Sequence, residues 1–121
     1  MKGKISFSHI EKEYLHEMRN KINNSENKSD LKNHFSFTIL NMLEEVFEEK
    51  EVELNGDDVL FDPKAEKYFI LSSSLKDQVI FQETWKGSDL PNVIGRFAYS
   101  TYHRYLHLDK HLEKTERKIR N

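Results

Sequence analysis

Apolar positions along this chain recur at two spacings, and the change from one to the other divides it into helical and extended stretches. Ile10, Tyr14, Met18 and Ile22 repeat at helical spacing after Ser8, which stands three residues before Glu11 as in a capping box. The first helix is therefore expected to start at Ser8 and to end near Asn23 and Asn24, with the polar run 25–29 as a linker. Leu31, Phe35, Ile39, Met42, Leu43 and Val46 predict a second helix, from Ser29 or Asp30 to about Lys50.

The period then drops to 2. Val52 and Leu54, followed by Val59 and Phe61, flank Asn55 and Gly56, a dipeptide that favours a two-residue hairpin. Asp62 and Pro63 open another turn, residues 68–71 form a compact apolar strand, and three serines at 72–74 break it. Residues 79–85 read as one more strand with Val79, Phe81 and Trp85 on one side, a helix being the alternative. Gly87 to Pro91 lead into a last helix, since Pro is well tolerated in a first turn.

That last helix, roughly 89–121, is sided. Ile94, Phe97, Thr101, Tyr105, Leu108, Leu112 and Ile119 form an apolar stripe. The opposite side carries Arg96, His103, Arg104, His107, Lys110, His111, Lys114, Arg117 and Lys118, while Asp109, Glu113 and Glu116 fall beside the stripe. About 30 residues at 1.5 Å span roughly 45 Å, longer than a domain of this size needs. Residues 113–121 are accordingly expected to fray or to pack on another chain. The fold class that follows is α+β: two N-terminal helices, a small antiparallel meander, and a long amphipathic C-terminal helix packed on the sheet.

Composition narrows the picture only a little. With 121 residues the chain fits a single domain, and with 36% apolar against 33% charged residues its core is thin. Thin cores are often completed by a second subunit, so a homodimer is among the expectations. The absence of cysteine removes disulfides and thiolate metal sites, and neither a signal-like apolar run nor a membrane span is seen. A cytoplasmic location is expected. Net charge is only −2, but residues 44–62 hold nine acids and one base, whereas 90–121 hold seven bases and three acids. Such asymmetry steers partners, drives head-to-tail self-association, or is neutralised within one chain.

Each candidate for chemistry in the chain has a plainer reading beside it. His103, His107 and His111 are spaced i, i+4, i+8, yet the third has turned by about 80° and no acid shares their face. A solvated or pH-sensitive cationic stripe is the simpler account, with no metal or cofactor. The same stripe, with Tyr99 and Tyr102 for stacking, suggests phosphate contacts, but the pI of about 6.3 is low for a nucleic-acid surface. Residues 51–62 resemble a calcium loop in their oxygen spacing and in Gly56, but they begin with Glu51, end with Asp62, and run into Pro63 instead of an exit helix. No nucleophile, phosphate-binding or metalloprotease motif is present, although His16 or His34 meeting Asp57 or Asp58 would build a His/carboxylate site. Trp85, just before a Gly loop, is a candidate interface anchor.

The expected function is thus a small non-enzymatic regulator, inhibitor or adaptor that binds another protein or itself. The partner-binding residues are Arg96, His103, Arg104, His107, Lys110, His111, Lys114, Lys118 and Trp85. Nucleic-acid binding by the basic helix face and a small His/carboxylate enzyme are the alternatives.

Overall fold

A computed structural model of the chain describes residues 5–48 and 52–120, with side chains described as far as Leu108. In chain order the elements are helices α1 (Ser8–Asn23) and α2 (Lys28–Val46), strands β1 (Val59–Phe61) and β2 (Phe69–Leu71), the short α3 (Ser73–Lys76), α4 (Val79–Lys86) and the long α5 (Leu90–Arg120). The architecture is α+β, with α1, α2 and α5 packed together beside a two-stranded antiparallel sheet. Among the described residues no helix is long and apolar enough to cross a membrane.

Helix α2 is the centre of the core. Leu31, Phe35, Thr38, Ile39, Met42 and Leu43 are all buried, because i, i+4, i+7 and i+8 positions share one side of a helix. They meet Met18 and Ile22 of α1, Val59 and Phe61 of β1, and Leu90, Val93, Ile94, Phe97 and Ala98 of α5. Each fully buried Leu, Ile or Phe contributes about 1.5–3 kcal/mol of transfer free energy. The stripe anticipated on α5 is buried at Ile94, Phe97, Thr101 and Leu108 and half-buried at Tyr105. Leu112 and Ile119, and the tail 113–121, lie outside the described side chains.

Three local features differ from the sequence reading. Helix α1 does begin at Ser8, but its cap is Phe7, whose side chain makes no capping hydrogen bond, and the Ser8 N–H is accepted by Ser6 Oγ at 3.3 Å. Asp89 reaches across from the start of α5, and its Oδ1 accepts the Phe7 N–H at 2.7 Å. Glu11 is consequently released from a capping box and is engaged elsewhere. Second, α2 begins at Lys28 behind Asn27, whose Oδ1 accepts the Asp30 N–H.

Third, the hairpin is displaced. A type I′ turn at Asn55-Gly56 needs left-handed backbone at both residues, and neither adopts it. The turn closes from Asn55 O to the Asp58 N–H, and β1 pairs with β2 rather than with residues 52–54. The segment 52–54 is held by Gln78, whose Oε1 accepts the Glu53 N–H while its Nε2 donates to Glu53 O, both at 2.8 Å. A side-chain amide thus stands in for a strand neighbour.

Residues 79–85 form helix α4, not a strand. In a strand Glu83 would share the inward side with Phe81 and Trp85. In the helix these two aromatics, four apart, lie on the same face and Glu83 points to solvent. Val79, expected inside, is 64% exposed.

Candidate functional site

Two cations of the sequence-predicted basic face, Arg96 and Arg104, are occupied with holding the fold. Arg96 donates through Nε and one Nη to the two carboxylate oxygens of Glu11, both at 2.7 Å, a bidentate pair that ties α5 to α1. The hydrogen bond to Glu11 raises the Arg96 pKa above its usual value, against a smaller lowering by burial. Arg104 donates from Nη2 to the carbonyls of Asn23 and Ser25, at 3.0 and 3.4 Å. Asn23 is the last residue of α1 and Ser25 lies just beyond it, so Arg104 acts as a cationic C-cap supplied from another helix. Its Nε is buried without a hydrogen-bond partner among the described residues.

His103 is exposed and edge-on to Tyr99, with ring centroids 4.6 Å apart. His107 is also exposed. Lys110, His111, Lys114 and Lys118 lie beyond the described side chains.

The anticipated His/carboxylate site does not assemble. His34 Nδ1 lies 3.0 Å from Lys21 O and 2.8 Å from Ser25 Oγ. A carbonyl only accepts, so Nδ1 carries the hydrogen and is no base toward Ser25. His16 contacts Asn20. Asp58 is buried and committed: Oδ2 accepts the Asn55 N–H at 2.6 Å and Oδ1 accepts the Ser72 hydroxyl at 2.5 Å. Asp58 is therefore a turn organiser, and among the described residues no three His, Asp or Glu side chains converge as metal ligands do.

Two concave regions lie among the described residues. The first, about 370 Å³, lies between the 62–68 turn and the first turns of α5. Tyr68 sits there in the left-handed region at φ 71°, stacked on Tyr102 at 4.1 Å and 8°. A non-glycine residue in that conformation is strained, and the stack holds it in place. Gly95 forms part of the lining, and a Cβ there would meet nothing within 4 Å, so packing does not require the glycine. The polar groups of this groove cancel, however: Glu66 stands beside Lys67, and Arg96 is paired with Glu11.

The second is a cleft of about 300 Å³ between β2 and α4, lined by Leu71, Phe81 and Trp85 with Lys76, Gln82 and Lys86 around it. Ser72 starts this region as the N-cap of α3, its Oγ accepting the Leu75 N–H. Trp85 is half-buried, stacked on Phe81 at 5.3 Å and edge-on to Phe69 at 6.3 Å. Its indole N–H has no hydrogen-bond partner among the described residues, and Lys76 and Lys86 form no ion pair there. Asp77 and Glu83, the nearest acids in sequence, do not pair with them.

Sequence reasoning identified Trp85 but missed Lys76 and Lys86, because the strand reading of 79–85 placed no cleft beside it. The signal was available in Phe81 and Trp85 at i and i+4. No protein-family model, curated protein or solved structure matches this chain, so a functional reading rests on its own geometry.

Proposed function

We propose that this is a small cytoplasmic binding protein, a regulator, inhibitor or adaptor, that captures another protein through the β2–α4 cleft. One observation carries the reading: an apolar, Trp-floored cleft whose rim cations and indole N–H have no partner within the described chain. Half-buried tryptophan is enriched at the energetic centres of interfaces, and unpaired cations at the rim favour an oppositely charged partner. The basic face of α5 supports nucleic-acid binding less well, since Arg96 and Arg104 have intramolecular partners.

The test is capture of partners from native extract by tagged protein, half of the extract being nuclease-treated. The reading expects a protein that is retained after nuclease and lost when Lys76→Glu and Lys86→Glu are combined. Material lost with nuclease, and sensitive to charge reversal at Lys110, Lys114 and Lys118 instead, would overturn it in favour of the helix face.

A further inference from the structure

The two edges of the hairpin are treated differently. The hydrogen bonds from Ser72 N–H to Asp58 O and from Asp62 N–H to Tyr68 O bracket the β1–β2 pair. Antiparallel pairs alternate, so the pair that exchanges hydrogen bonds between them is Leu60 with Ile70. The main-chain groups of Val59 and Phe61 then point out of one edge, and those of Phe69 and Leu71 out of the other. The β1 edge is covered by α2, where the Ser36 hydroxyl donates to Val59 O at 2.7 Å. On the β2 edge, neither the N–H nor the C=O of Phe69 and Leu71 is hydrogen-bonded among the described residues beyond β1.

An open edge strand is a template for another strand. This one runs along the Trp85 cleft, with Leu71 lining it and Phe69 in contact with Trp85. We infer that the cleft takes an extended, acidic-apolar peptide segment of a partner, which adds to β2 as an antiparallel third strand. The inference rests on the binding-protein reading above and specifies the partner's chemistry. Two partner residues, two apart, would exchange hydrogen bonds with Phe69 and Leu71, and their side chains would face the cleft. Apolar side chains suit Phe81 and Trp85, and flanking carboxylates suit Lys76 and Lys86, which form no ion pair among the described residues. Main-chain pairing supplies attachment, while the cleft and the lysines supply selectivity.

The probe is the peptide acetyl-Glu-Asp-Val-Thr-Leu-Asp-Glu-amide, whose Val and Leu share one face of an extended chain with the two terminal Glu residues. The readout is intrinsic fluorescence, because Trp85 is the sole tryptophan of the chain. Saturable change in Trp85 emission is expected. N-methylation of Val and Leu, which removes the two amides facing β2, is expected to weaken binding about tenfold or more, while N-methylation of Thr leaves it unchanged. Replacing Glu and Asp of the peptide by Lys, or combining Lys76→Glu with Lys86→Glu, is expected to abolish it.

No saturation by about 1 mM overturns the inference. So does binding indifferent to N-methylation, which would indicate side-chain capture without strand addition. A partner captured from extract that survives Lys76→Glu and Lys86→Glu would also overturn it, while leaving a binding role through another surface open to the capture experiment.

Discussion

On the α1 side of α5 the described arginines both end on a partner: Arg96 on Glu11, Arg104 on the carbonyls of Asn23 and Ser25. Across the molecule, Lys76 and Lys86 stand at the rim of an apolar cleft with no ion pair among the described residues. In sequence the first region is the more conspicuous, because its cations repeat along one helix face. In the fold it is the second that keeps unmatched charge among the described residues. Cationic density along a helix reports where charge is exposed or used to join elements; only the surrounding chain distinguishes the two. A guanidinium with several fixed donors suits carbonyl and carboxylate anchoring, whereas a single ammonium on a flexible stem does not.

The contrast is open to test, and the largest expected effect lies at the internally satisfied side. Phe97, buried on α5 against the core, should lose about 3–5 kcal/mol of unfolding free energy when replaced by Ala, read by denaturant titration. Arg104→Met retains the apolar stem but removes the donors to the end of α1, and should cost about 1–2 kcal/mol in the same assay.

Tyr14 adds a pH signature to that side. Burial, and then the 3.0 Å hydrogen bond from its hydroxyl to Glu45, push its pKa up to about 12 from 10.0. The folded state keeps this proton while the unfolded chain releases it near pH 10, so stability falls as pH rises between these values. With partial solvent access discounted, the loss should be about 1 kcal/mol, and Tyr14→Phe should remove that portion of the alkaline slope. The smallest effect belongs to the cleft: Lys76→Gln and Lys86→Gln should each leave stability within about 0.5 kcal/mol, since neither ammonium supports a neighbour. If Lys86→Gln cost as much as Arg104→Met, the distinction between anchoring and unmatched cations would fail.

The positions of the three long helices were legible because long 3.6-residue periodicity survives any tertiary context: Phe35, Ile39, Met42 and Leu43 could face only one way. Short extended segments were not. Val52 and Leu54 alternate as well as Val59 and Phe61 do, yet Gln78, more than twenty residues downstream, decides that they stay outside the sheet. Likewise Ser8 and Glu11 satisfy a capping box locally, and Asp89 displaces it from a distance. The candidate site was half legible. Trp85 stood out as a lone tryptophan, but its cleft depends on α4 being a helix and on β2 having no outer neighbour among the described residues. Neither property is local to the residues that line it.

The clamp formed by Asp89 has a consequence for kinetics. It joins residues 82 apart, beside a bridge in which Ile5 exchanges main-chain hydrogen bonds with Gly87 and Asp89. Closing a loop of that length is an entropic step with little enthalpy gained at the closure itself, so it belongs late on the folding route, after the helices have packed. Contacts made after the barrier act on escape rather than on arrival. Asp89→Ala should therefore speed unfolding in stopped-flow measurements while the refolding limb stays in place, making a single carboxylate at the start of α5 a latch on the lifetime of the folded state.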